Sequence, residues 1–248
     1  MAECRAHCDL WRFLLGALVI VTTAGCASAP ARTAPSVAAA TTTATTWVER
    51  SAEYAATVLQ AYRHATTQIE SVATNHRSGT WAVVLDADET IITNLTYQLE
   101  RERAGLGYSA ESWSAWVKRR EAVPMPGAVA FLTRIRALGG RIAIVTNRLV
   151  SECADTEAVF RTHQLVFDVM LCRPDGTPSD KNPRFAQVAA GTWPGATGPL
   201  EVIAFVGDNI QDFPSLTQAI RGQGEAGYAA FGVRFFIVPN PMYGSWQP

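Results

Sequence analysis

The stretch WAVVLDADETIITN, residues 81–94, runs five positions without an acid, Trp81 to Leu85, and then places Asp86, Asp88 and Thr90 at alternate positions. A short apolar run preceded by a glycine, Gly79, reads as a strand buried on both faces. Two carboxylates directly after a buried strand cost free energy unless they emerge into a site that uses them. The second half of the stretch is therefore where chemistry is expected.

Four later segments resemble the first half: RIAIVT (141–146), FDVMLC (167–172), EVIAFVG (201–207) and VRFFIV (233–238). Between most of them stand helix-length stretches, such as 128–138, closed by Gly139 and Gly140, and 152–163. Short apolar strands alternating with helices specify an α/β fold, a doubly wound, Rossmann-like parallel sheet of about five strands. Ligands in such sheets bind beyond the carboxyl ends of the strands. Asp86, Thr146 and Asp208 each fall at or just past such an end, so they converge on one edge.

The bulk numbers narrow the function classes. With 248 residues, 48% hydrophobic and 17% charged, the chain can bury one good core. A net charge of -1, with no lysine or arginine run longer than the three residues Lys118, Arg119 and Arg120, gives no field to hold a phosphate backbone, so nucleic acid is not an expected partner. The histidines are scattered and no CxxC pair exists, which argues against zinc.

At the N-terminus Arg5 and Arg12 precede the apolar run FLLGALVIV, 13–21. Such a run reads as the core of an export signal and is too short for a span, which needs roughly 20 residues. The triplet Ala24, Gly25, Cys26 resembles a bacterial lipobox, although Thr23 stands where a leucine is usual. That resemblance implies removal of residues 1–25, acylation of Cys26 and a membrane anchor; Ala27 is compatible with the outer membrane. Residues 26–46 are then a lipidated cysteine and a flexible Ala/Thr/Pro linker, and the folded domain is 47–248. Apolar residues at Trp47, Tyr54, Val58, Leu59, Tyr62, Ala65, Ile69 and Val72 give it one long amphipathic opening helix. Cys153 and Cys172 remain in the domain, either paired or simply buried.

The ordered set of Asp86, Asp88 and Thr90, then Thr146, Asn147 and Arg148, then Lys181, then Asp208 and Asp212 resembles the four motifs of the haloacid dehalogenase-like (HAD) superfamily of phosphotransferases. The resemblance implies that Asp86 attacks phosphorus to form an aspartyl-phosphate and that Asp88 exchanges protons with the leaving alcohol and with water. Like charges at 4 Å repel by about 4 kcal/mol at an effective dielectric of 20, so a cation must be present. Hard oxygen ligands favour Mg²⁺, assigned to the carboxylates of Asp86 and Asp208 and the backbone carbonyl of Asp88, with Asp212 in support. Lys181 offsets the remaining charge; Thr146, the amide of Asn147, and Arg148 hold substrate.

Closer still, AVVLDADETIITNLTYQ, SWSAWVKRREAVPMPGAVAF, VTNR, FVGDNIQDF and FIVPNPMYGSW resemble the bacterial class C acid phosphatases, the lipoprotein e family of 5'-nucleotidases, over residues 47–246. Departures are local: Thr93 replaces an acid, Leu95 and Thr96 replace a Ser-Pro pair, and Pro178, Ser179 and Asp180 stand where a more basic stretch is usual. Lys181 or Arg184 therefore supplies the third-motif cation, with Lys181 preferred. Residues 91–140 are too many for a simple connection and are expected to form a helical cap. On it Trp113 and Trp116 share a helix face; they stack on a base with Tyr243, or pack cap against core, and at most one touches substrate. The expected activity is a phosphomonoesterase acting on nucleoside monophosphates or similar small phosphate esters. The alternatives are a phosphotransferase or phosphomutase, and a surface lipoprotein that only binds its ligand. A homodimer is left open.

Overall fold

A computed structural model describes residues 42–247. The expected signal segment, Cys26 and most of the expected linker lie outside these residues. In chain order the described residues form α1 (Thr43–Arg50), α2 (Ala52–Ala73), β1 (Trp81–Leu85), β2 (Ile92–Thr93), α3 (Leu95–Arg103), α4 (Ala110–Arg119), β3 (Val123–Pro124) and α5 (Ala128–Ala137). They continue with β4 (Arg141–Leu149), α6 (Val150–Thr162), β5 (Val169–Arg173), α7 (Asn182–Ala190), β6 (Glu201–Gly207), α8 (Gly224–Gly227) and β7 (Phe235–Ile237).

The main sheet has the order β5-β4-β1-β6-β7, and every pairing in it is parallel. All five expected strands are present, with β1 central and buried at each position. Its side chains alternate between two cores, as a pleated strand must. Trp81, Val83 and Leu85 pack with Val58 and Tyr62 of α2, Leu132 and Ile135 of α5 and Phe160 of α6. Ala82 and Val84 pack on the other side with Phe185 and Val188 of α7 and with Phe205 and Phe213. Helices thus cover both faces, which is why the strand sequences are apolar throughout rather than alternating. Gly140 is dictated by the same packing, because a Cβ there would lie 2.4 Å from the Trp81 ring.

Three expectations are corrected in detail. The opening helix is two helices, since Ser51 leaves the helical conformation and its hydroxyl accepts the Tyr54 N–H at 3.0 Å to cap α2. The folded part also begins before Trp47, inside the expected linker. Glu102 of α3 accepts from the Thr42 amide at 3.0 Å, the Thr42 hydroxyl at 2.8 Å and the Thr45 hydroxyl at 2.6 Å, so these threonines are tied down by tertiary contacts. The cap is shorter than 91–140. β2 and β3 pair antiparallel as its stem and α3 and α4 lie between them, whereas α5 packs on α2 and β4 and belongs to the core.

Cys153 of α6 and Cys172 of β5 are disulfide-bonded, which resolves their alternatives. Among the described residues no helix is long and apolar enough to cross a membrane.

Candidate active site

The chain runs from β1 out to β4 and β5, then returns to the other side of β1 with β6 and β7. The strand order therefore reverses between β1 and β6, and an open α/β sheet leaves a crevice at such a point. Asp86 follows β1 and still donates its N–H to Val206 of β6 at 3.0 Å; Asp208 follows β6. Both line a cleft of about 570 Å³.

Carboxylate oxygens of Asp86, Asp208 and Asp212 lie within 4.8 Å of one another. Asp212 reaches the cluster because Gly207 has no side chain; a Cβ there would sit 2.3 Å from that of Asp212. The Asp212 Oδ2 also accepts the Asn209 N–H at 2.9 Å, which fixes the turn after β6. Lys181 donates to Asp86 Oδ1 and, at 2.6 Å, to Asp212 Oδ1. Burial works against its charge, yet Asp212 and Asp86 hold the ammonium above the ordinary lysine range. Arg184 is placed elsewhere, donating to the Thr146 carbonyl and, at 2.6 Å, to Asn147 Oδ1. Lys181 is thus the cation in contact with Asp86.

One ammonium does not balance three carboxylates. Burial pushes the Asp86 carboxyl up to about 7, against the pull of Lys181 and with the Asp212 and Asp88 charges adding to it. Burial and the charges of Asp212 and Asp86 raise Asp208 as well, although Asn240 donates to its Oδ2 at 2.8 Å. A crowded, all-oxygen donor set with excess negative charge fits a hard divalent cation.

Asp88 is held differently. Its Oδ1 accepts from Asn94 Nδ2 at 2.8 Å, from Arg148 Nη2 at 2.8 Å and from Arg148 Nε at 3.0 Å. Next to it Glu89, at φ 53°, is fully buried and accepts the Asn94 N–H at 2.6 Å and the Tyr243 hydroxyl. Burial, with Asp88 beside it, pushes the Glu89 carboxyl up to about 8.

The sequence profile described as HAD superfamily, subfamily IIIB (acid phosphatase), matches residues 6–246. The chain belongs to this family. It is similar in structure to the class C acid phosphatase from Bacillus anthracis, with 25% identity and a TM-score of 0.70 over 82% of this chain and 84% of that one. It is equally similar to a class C acid phosphatase from the same organism with tungstate bound, with 26% identity, a TM-score of 0.71 and the same coverages of 82% and 84%. The protein is therefore a phosphoric monoester hydrolase with the HAD-like α/β fold.

Within this acid phosphatase the sequence-predicted residues separate into two groups. Asp86, Asp88, Lys181, Asp208, Asp212, Asn147, Arg148, Trp113 and Tyr243 all line the cleft. Thr146 and Trp116 do not. Thr146 is fully buried and its hydroxyl accepts the Arg148 N–H at 3.1 Å. Trp116 is buried and donates at 2.8 Å to Asn94 Oδ1 at the base of the cap, and Trp113 alone of the pair faces the cleft. Arg148 lines the cleft, but its guanidinium is engaged by Asp88, Asn94 and Thr156 rather than presented to a ligand.

Sequence reasoning missed Glu89, Asn94 and Asn240. Glu89 stands between Asp88 and Thr90, where a third acid in so short a turn was the available signal. Nothing local marks Asn240, whose partner Asp208 lies 32 positions earlier.

Proposed function

We propose that this acid phosphatase is a Mg²⁺-dependent hydrolase of nucleoside monophosphates and similar small phosphate esters, working through an aspartyl-phosphate on Asp86. The observation that carries the reading is the placement of Asp86 against Lys181 and Asp208, with Asp88 clamped two residues on. The tungstate in the Bacillus anthracis acid phosphatase supports it, since tungstate is a tetrahedral oxyanion like phosphate.

Lys181 holds Asp86 Oδ1, which leaves Oδ2 to attack phosphorus. As the bond to the ester oxygen breaks, Asp88 gives that oxygen a proton, and it then takes one from the water that attacks the aspartyl-phosphate. The amide of Asn147, in the last residues of β4 and on the cleft wall, would hold a phosphate oxygen. Asp86, Asp208 and the backbone carbonyl of Asp88 would hold the cation, with Asp212 in support. When bound it supplies charge neutralisation between anionic substrate and carboxylates.

The deciding experiment is phosphate release across a panel of nucleotides and sugar phosphates, with and without EDTA. Chelation should abolish release and added Mg²⁺ restore it, and Asp208→Asn should lose Mg²⁺ affinity and activity together. Full activity after exhaustive chelation would remove the metal assignment. Transfer to an added alcohol in excess of hydrolysis would make the protein a phosphotransferase instead.

Nucleotide preference rests on Trp113 and Tyr243, two aromatic residues on the cleft wall. Trp113→Ala should lower kcat/KM for nucleoside monophosphates by about 1–3 kcal/mol, by analogy with base–aromatic stacking, and spare a small non-aromatic phosphate ester. A uniform loss on all substrates would assign Trp113 to packing, where its edge-to-face contact with Tyr97 at 5.3 Å already places part of it.

Anchoring at the outer membrane through lipid on Cys26 completes the reading. Labelled palmitate should enter the wild type and not Cys26→Ser; equal labelling of the two would remove it.

A further inference from the structure

We infer that Arg148 is a positioning residue for proton transfer, clamping the Asp88 carboxylate so that Oδ2 meets the ester oxygen. The inference rests on the role of Asp88 given above.

The Arg148 side chain is 1% exposed and its donors are distributed over protein groups. Nε and Nη2 go to Asp88, at 3.0 and 2.8 Å for Oδ1; Nη2 also reaches Asn94 Oδ1 at 2.9 Å and Nη1 reaches the Thr156 hydroxyl of α6 at 3.2 Å. The Trp113 ring of the cap lies 5.3 Å from the guanidinium carbon. A fork held on that many sides offers no free pair of donors for a phosphate, so a substrate anchor is the wrong description of it.

Its effect on Asp88 is asymmetric. Oδ1 accepts from Asn94 and from both Arg148 donors, whereas Oδ2 has a single contact with Arg148 Nε, at 3.2 Å. Oδ2 is thus the oxygen that can carry a proton without breaking the clamp. Asp88 lies beyond the end of β1, outside the main sheet's ladder, and its carboxylate would otherwise turn among rotamers. In the reaction the Oδ2 proton passes to the ester oxygen as the P–O bond breaks, and Oδ2 regains a proton from water as that water cleaves the aspartyl-phosphate. Both transfers need the carboxylate within hydrogen-bond reach of the reacting oxygen, a condition a misplacement of about 1 Å violates at a cost of up to about 10²-fold.

The test is a double-mutant cycle read on two substrates, an alkyl phosphate and an aryl phosphate with an activated leaving group. Arg148→Met should lower kcat on the alkyl ester by about 10–10²-fold, change KM by less than about threefold, and act far more weakly on the aryl ester. In an Asp88→Asn background the same substitution should cost little more, because the group it positions is gone. Guanidinium ion added to Arg148→Ala should restore part of the alkyl activity. A raised KM with unchanged kcat, an equal loss on both substrates, or additive losses in the cycle would each overturn the inference. If Asp88→Asn alone leaves alkyl turnover intact, the role of Asp88 fails and this inference with it; a normal deficit there with additive Arg148 losses sinks the positioning role alone. Should Arg148→Met fail to fold, Thr156→Val removes the Nη1 anchor together with the bond that the same hydroxyl donates to the Glu152 carbonyl within α6, and a smaller loss of the same leaving-group dependence is expected; a loss equal on both esters would overturn the inference.

Discussion

Asp86→Asn should remove turnover of every phosphate ester, by a factor on the order of 10⁶ as for other enzymes stripped of their nucleophile. An amide attacks phosphorus poorly, and the substitution also takes one carboxylate from the set that fits the cation. No aspartyl-phosphate should appear when the reaction is quenched in acid and the peptide spanning residues 83–94 is weighed. The fold should not suffer in step with the activity. Asp86 is one of three crowded carboxylates facing one ammonium, and its charge is disfavoured by burial; neutralising it relieves repulsion, while Lys181 keeps Asp212 at 2.6 Å. Thermal unfolding in the presence of chelator is expected to be unchanged or higher. Activity within about 10²-fold of wild type would remove Asp86 from the nucleophile's place.

The position of this residue was legible in the sequence because two rules coincide on it. A strand buried on both faces must read as an unbroken apolar run, which made WAVVL and its four counterparts visible. The end of such a run marks the ligand edge of the sheet, which brought Asp86 and Asp208 together without any knowledge of strand order. What stayed hidden depends on contacts between distant positions. The apolar spacing of α5 is the same whether that helix covers the sheet or belongs to a cap, and only its packing on α2 and β4 decides. Trp113 and Trp116 share a helix face, yet a small rotation sends one into the cleft and the other to Asn94. Arg148 carries the mark of a phosphate ligand, a cation just after the end of the expected strand 141–146, but β4 runs on to Leu149 and Asp88, 60 positions away, takes its donors. Threonines 42 and 45 read as linker because their partner, Glu102, lies in the cap.

Asp88→Asn should behave differently from Asp86→Asn although the two carboxylates are two residues apart. The cation is assigned to the backbone carbonyl of Asp88, which the change leaves in place, so Mg²⁺ binding should survive. The residue should also keep its position, since the Oδ1 of an asparagine can accept from Arg148 Nη2 as the aspartate does at 2.8 Å. What is lost is the proton given to the ester oxygen and the base that accepts one from water, a loss worth typically about 10²–10⁴-fold. The deficit should therefore scale with the leaving group: full on an alkyl phosphate, whose alkoxide needs the proton, and smaller on an activated aryl phosphate, which departs without it. On the aryl ester the first step still runs while hydrolysis of the aspartyl-phosphate stalls. Phosphate should then accumulate on Asp86, visible after rapid acid quench as a heavier peptide over residues 83–94, in a burst whose size matches the enzyme present. Near wild-type steady-state rates on alkyl phosphates would sink this division of roles, because a carboxylate that can be neutralised without effect on a poor leaving group is not the group that protonates it.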